Sequence, residues 1–147
     1  MSAGETPRVL AFADTNVWLY ALLEIQDAVK CARARQIIRD EELIVSTQVI
    51  NEVSFNLLRK AKFTEERIQE LVASFYARHR VLAPGEETFF AASRLRSRHQ
   101  FSFWDSLMIA AALEGGATTF FSEDMHDGLL VENRLRISNP FQNLAAK

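Results

Sequence analysis

In the stretch VLAFADTNVWLYALL an apolar run, residues 9–13, leads directly into Asp14, followed by Thr15 and Asn16. An unpaired carboxylate is costly to bury, so a group at such a junction is capped, paired or bound to a metal. Three further acids fall where the same rim could gather them, Glu52 from well inside the helix after the second strand. Glu52 follows the apolar run 43–46, Asp105 opens FWDSLMIAAAL, and Asp124 follows TTFF after only Ser122 and Glu123. The single cysteine, Cys31, and three histidines, His79, His99 and His126, form no spaced ligand set, which excludes a cysteine-based zinc centre. A cluster of carboxylates alone suits hard cations, Mg²⁺ or Mn²⁺, which take oxygen ligands and keep several waters. Their mutual repulsion is relieved only by a bound cation or by protonation. Such a metal polarises a phosphodiester and lowers the pKa of a bound water. Asn16 is placed two residues past Asp14, where its amide would hold a metal-bound water or a phosphate.

Each acid also has an ordinary structural reading. Asp14 suits a helix N-cap, and Ser102-Phe103-Trp104-Asp105 has the spacing of a capping box. Glu52 would sit on an exposed helix flank beside Val49, Val53 and Leu57, and the acids of SEDMHDG would be merely solvated. Those readings need four separate coincidences at matching positions, whereas a metal site needs one.

The elements that must position these residues follow from the apolar pattern. Short continuous apolar runs predict buried strands at 9–13, 43–46 and 117–121, a small one at 81–82 and a last one at 135–138. Helices are predicted from residue 14 or 15 to about 23, and over 27–39, 47–60, 65–78, 86–98 and 102–114. The last has an apolar stripe of Trp104, Leu107, Met108 and Ala111 and is stopped by Gly115-Gly116. Strands that are apolar throughout and alternate with helices predict a three-layer α/β/α sandwich with a short, mainly parallel central sheet. Ligands of such sheets bind beyond the carboxyl ends of the strands, which is where Asp14 and Asp124 fall.

The chain of 147 residues, 48% hydrophobic and 24% charged, fits one domain over 1–147, with 1–7 and 143–147 expected to be flexible. No secretory signal or membrane-length apolar run is visible, so a soluble cytoplasmic protein is expected. A net charge of −2 argues against binding by bulk positive charge. Local basic clusters remain: Arg78, His79 and Arg80; Arg94, Arg96, Arg98 and His99; Arg134 and Arg136. The second of these would lead phosphates toward the acids, although a solvated helix face is the plainer reading. Each histidine is expected at the surface, with His126 beside the acidic loop. Trp18 and Tyr20 are expected in the core, and the apolar segment 17–23 as a candidate dimer face.

ADTNVWLYAL, NEVSFNLL, FWDSLMIAAAL and FFSEDMHDG, taken in order, resemble the PIN-domain ribonucleases. Within them the likeness is to VapC-type toxins of toxin–antitoxin modules, and it runs from about residue 9 to about 141. The resemblance implies that Asp14, Glu52, Asp105 and Asp124 are the metal-binding catalytic acids, with Asn16 and Ser122 supporting them. By spacing alone Glu123 and Asp127 compete for the fourth position; motif match ranks Asp124 first and Asp127 second. It further implies Mg²⁺- or Mn²⁺-dependent endonucleolytic cleavage of RNA, a homodimer, and inhibition by a cognate antitoxin. The alternatives are a PIN-like scaffold that binds RNA or protein without cutting, and a phosphotransfer enzyme with Asp14 as nucleophile. The latter wants a second Asp where Asn16 stands and a late lysine, and Lys147 is the only one after Lys62.

Overall fold

The computed structural model describes residues 10–23, 27–142 and 144. Val9, expected to begin the first strand, and all of the expected flexible ends except Leu144 lie outside these residues; Leu144 itself is half-buried against the core. The elements, in chain order, are β1 (Leu10–Ala13), α1 (Thr15–Leu22), α2 (Ala28–Asp40), β2 (Glu42–Ser46), α3 (Thr47–Lys60), α4 (Glu65–Arg78), β3 (Arg80–Leu82), α5 (Glu86–Arg98), α6 (Phe103–Glu114), β4 (Thr119–Phe121), β5 (Leu130–Val131) and β6 (Leu135–Ser138).

The strands form one sheet in the order β3-β2-β1-β4-β6-β5. Every pairing is parallel except β5 with β6. The chain steps outward from β1 to β2 and β3, then crosses back to β4 on the other side of β1. Right-handed crossovers in opposite directions place their helices on opposite faces of a sheet. Accordingly α1 packs on α2 and α3, and α3 on α4, while α5 and α6 pair with each other and α6 lies on β2. The predicted three-layer sandwich is the fold. The order of strands reverses between β1 and β4, and a crevice opens at such a switch point.

The core straddles that point. Phe12 and Phe120 occupy matching register positions on β1 and β4 and stack with their rings 5.1 Å apart and nearly parallel. Both are fully buried, and side chains of this size contribute about 1.5–3 kcal/mol each on leaving water. Helix α6 is buried continuously from Ser106 to Leu113 because the sheet covers one side and α5 the other. An all-round apolar helix is the signature of such a position. Trp104, expected in its apolar stripe, is instead 62% exposed, in the first turn of α6 ahead of the buried run.

Local rules account for the boundaries. The N-cap side chains Asp14, Asp27, Ser46, Thr64 and Ser102 each accept a backbone amide at the start of their helix. Helix α6 ends in a Schellman turn: the Gly116 amide donates to Leu113 and that of Ala117 to Ala112. Gly116 adopts φ +84°, and a Cβ on Gly115 would come within 2.7 Å of Ile44 and 2.8 Å of Leu82. Because that turn holds Ala117, β4 starts at Thr119 rather than at 117 as expected. The short antiparallel β5 was not anticipated from the sequence; two residues, Leu130 and Val131, show too little pattern to be read. Among the described residues no helix is long and apolar enough to cross a membrane.

Candidate active site

Asp14 stands at the carboxyl end of β1, where its amide continues the ladder by donating to Phe121 O at 2.9 Å. Its side chain caps α1, with Oδ1 accepting from Thr15 N at 2.7 Å, and Oδ2 accepts from the fully buried Ser122 hydroxyl at 3.1 Å. The neighbouring strand end thus holds the Asp14 carboxylate through Ser122. Two hydrogen bonds stabilise the carboxylate, yet burial outweighs them and pushes Asp14 up to about 6. The negative charges of Asp105 and Glu52 push it in the same direction.

Glu52 reaches the same rim from α3. Its Oε1 accepts from the Thr15 hydroxyl at 2.8 Å and its Oε2 from Gln48 Nε2 at 3.0 Å. Asp105 lies in the first turn of α6. Its amide donates to Ser102 Oγ at 3.0 Å, one arm of the expected capping box. The reciprocal bond from the Ser102 amide to the carboxylate is not formed among the described residues. Burial raises the Asp105 pKa, Ser102 opposes the rise, and repulsion from Glu52 and Asp124 adds to it. Asp124 is exposed in the loop after β4 and accepts from Asn16 Nδ2 at 3.1 Å.

Asp105 therefore lies within electrostatic reach of Asp14, Glu52 and Asp124, and Asp14 within reach of Glu52. Asp105 and Asp124 line a cleft of about 440 Å³ with His99, Gln100, Phe101 and His126. Glu52 forms the wall of an adjoining apolar groove with Trp104 and Phe89. A larger cleft of about 590 Å³, around Trp18, Phe75 and Arg35, contains none of the four acids. The perturbed carboxylates, rather than cavity size, mark the chemically distinctive place.

The two competing acids of the loop have other tasks. Glu123 pairs with Lys30 of α2 and accepts the Tyr20 hydroxyl at 2.8 Å. Asp127 accepts the Asn139 amide at 2.7 Å, and the Asn139 side chain donates to Glu123 O at 3.4 Å. These contacts anchor the loop from which Asp124 projects.

Several expectations change. His79 is half-buried against Trp18 and Phe75, and burial together with Arg78 lowers its pKa, so it is no ordinary surface histidine. Trp18 is buried as expected, and Tyr20 is half-buried against the core, edge-on to Phe141, with its hydroxyl donated to Glu123. Within segment 17–23, Val17 and Trp18 are buried and residues 19–23 are half-buried beside the core. Of the basic cluster before α6, Arg96 donates to Ser106 and lies over the Phe103 ring, and Arg98 pairs with Glu132. Thr15 and Gln48, which orient Glu52, were not singled out in the sequence. Gln48 had one legible signal, its position four residues before Glu52 on a helix; Thr15 had none beyond standing next to Asp14.

Among the described residues, no three Asp, Glu, His or Cys side chains stand together as a ready-made metal cage. The donor set is nonetheless all oxygen, and Mg²⁺ takes one or two carboxylates directly and fills its octahedron with waters. Raised pKa values that arise partly from neighbouring carboxylates are what a cation would relieve. The residues fit such an ion in their chemistry.

Residues 11–126 match the family described as PIN domain, and the chain belongs to that family. A toxin–antitoxin complex from Klebsiella pneumoniae is similar in structure, with TM-score 0.66 and 12% identity over 89% of this chain and 98% of that one. VapBC2 from Rickettsia felis, bound to a DNA fragment from its promoter, matches with TM-score 0.62 and 16% identity over 89% and 100%. The sarcin-ricin loop cleaving toxin VapC20 of Mycobacterium tuberculosis matches with TM-score 0.61 and 23% identity over 78% and 91%. Comparison with curated protein sequences finds no match.

Proposed function

We propose that this protein is a Mg²⁺- or Mn²⁺-dependent endoribonuclease acting as the toxin of a toxin–antitoxin pair. The observation that carries the reading is the convergence of Asp14, Glu52, Asp105 and Asp124 in a PIN domain, with Asp14 pushed up to about 6 by burial and by its acidic neighbours. Asp14, Asp105 and Asp124, with Glu52, would hold the cation, which polarises the scissile phosphate and lowers the pKa of the attacking water. Ser122 and Thr15 keep the carboxylates of Asp14 and Glu52 aimed into the rim, and Asn16 holds Asp124. The raised affinity of Asp14 for a proton means that, without the cation, the site is partly neutralised near pH 6. RNA as substrate is supported by the family and by the VapC20 likeness. An antitoxin partner is supported by the toxin–antitoxin complexes among the similar structures, and a cytoplasmic location is part of the same reading.

The homodimer expected from the family is assigned here to a different face from segment 17–23. Phe89 on α5 and Trp104 on α6 line one apolar groove, Phe103 lies edge-on to Trp104, and all three are more than half exposed. Exposed aromatics gathered in this way mark an interaction surface.

The test is cleavage of total cellular RNA by the purified protein with Mn²⁺ or Mg²⁺, with chelator, and beside Asp14→Asn and Asp105→Asn. Defined fragments that vanish with chelator and in both variants are expected. Intact RNA from a protein that also takes up no Mn²⁺ would leave the non-catalytic scaffold reading.

A further inference from the structure

Resting on the metal-nuclease reading, we propose that Gln48 is a positioning residue: its side-chain amide fixes the Glu52 carboxylate against the first turn of α6, and hence against Asp105. One amide hydrogen goes to Glu52 Oε2 at 3.0 Å and the other to the backbone oxygen of Trp104, the residue before Asp105, at 3.2 Å. The second oxygen of Glu52 is held by Thr15, the residue after Asp14, at 2.8 Å. Glu52 is thus strung between the helix starts that carry the first and third acids. Helix α3 packs mainly on α1 and α4, whereas α6 packs on α5 and β2. The Gln48 amide is therefore a tie across the cleft between elements that belong to different layers.

The residue type follows from what the tie must do. A planar NH₂ supplies two donors at a fixed angle without adding charge. Lysine or arginine at this position would reach both acceptors but would offset the negative charge that attracts a cation. Glutamate would set two like charges four residues apart on one helix face. Asparagine is one methylene too short to span the same two acceptors. A carbonyl has two lone pairs, so Trp104 O accepts this bond in addition to its bond within the helix. Partners that orient a ligating carboxylate matter to metal sites nearly as much as the ligands do, and their loss typically lowers affinity or activity by 10- to 100-fold.

The experiment is a Mn²⁺ titration of four proteins: wild type, Gln48→Met, Glu52→Gln and the double variant, with thermal melts to confirm that each is folded. Gln48→Met, of nearly the same volume, is expected to weaken Mn²⁺ binding roughly tenfold and to lower kcat by a similar factor while KM for RNA stays unchanged. In the Glu52→Gln background the same substitution is expected to have no further effect, because residues that act through one another are non-additive. An unchanged Mn²⁺ affinity in Gln48→Met, or an equal loss in both backgrounds, would overturn the proposal. Wild-type protein that takes up no Mn²⁺ would overturn the metal reading instead. The tie is then decided without metal by the Gln48 side-chain amide protons in NMR: a shift on Glu52→Ala upholds it, and unmoved resonances reject it.

Discussion

Replacing Asp14 by Asn tests the electrostatics of the site through stability, independently of catalysis. The ordinary value for the Asp14 carboxyl is 3.8, and in the fold it is pushed up to about 6. The folded state therefore binds the proton more tightly than the unfolded chain, and stability is lost as pH rises through that interval. Above pH 6 the full difference corresponds to about 3 kcal/mol; solvent at the rim of the cleft screens part of it, leaving about 2 kcal/mol. Asparagine removes this charge but keeps only one of the two hydrogen bonds, from Thr15 N and the Ser122 hydroxyl, at a cost of about 1 kcal/mol. Asp14→Asn is thus expected to be more stable than wild type by about 1 kcal/mol at pH 8 and less stable by about 1 kcal/mol near pH 4. For a chain of this length that is a melting difference of roughly 3 °C in each direction. Thermal melts of both proteins with chelator between pH 4 and 8 provide the assay. A melting difference that does not change with pH would refute the burial-driven rise. With Mn²⁺ at 100 times its Kd, wild type gains about 2.7 kcal/mol and the order reverses at pH 8, because only wild type binds it tightly.

Gly115→Ala is expected to destabilise by roughly 1–3 kcal/mol in urea unfolding, because the new methyl would meet Ile44 and Leu82 below 3 Å. Lys30→Met, which breaks the tie between α2 and Glu123, is expected to lower stability by no more than about 1 kcal/mol yet to reduce cleavage, since the loop bearing Asp124 loses an anchor; a melt beside an RNA assay separates the two effects. Trp104→Ala is expected to turn a dimer into a monomer by sedimentation, with α6 still folded by circular dichroism. The His79 imidazole, held below 6.5 by burial and Arg78, contributes stability that is present above pH 6.5 and falls away as pH drops; its NMR titration should centre below that of a free histidine.

The positions of Asp14, Asp105 and Asp124 were legible in the sequence because each sits one or a few residues from a strand or helix boundary, and boundaries are set by local chemistry; Glu52 lies mid-helix and was singled out by its order in the motif set. Apolar runs of four to five residues define β1 and β2, and Asp, Ser and Thr caps define the helix starts. The parallel sheet followed from strands that are apolar on both faces. Trp104 and His79 were misjudged for one reason: periodicity tells which face a residue occupies but not how far the neighbouring layer extends. The first turn of α6 leaves Trp104 exposed, and the end of α4 packs its His79 on Trp18 rather than in solvent.

What the sequence by itself determined was the order of elements, and with it the places of Asp14, Glu52, Asp105 and Asp124 along them. How the three acids of the 122–128 loop are paired was decided by tertiary structure. Lys30 and Tyr20, about a hundred positions earlier, claim Glu123, the Asn139 amide claims Asp127, and Asn16 turns to Asp124. The same holds for the raised pKa of Asp14, which depends on how much protein closes over the carboxylate and on which charges face it. Local pattern fixes where the backbone starts and stops; desolvation and hydrogen-bond pairing between distant residues fix what each carboxylate is free to do.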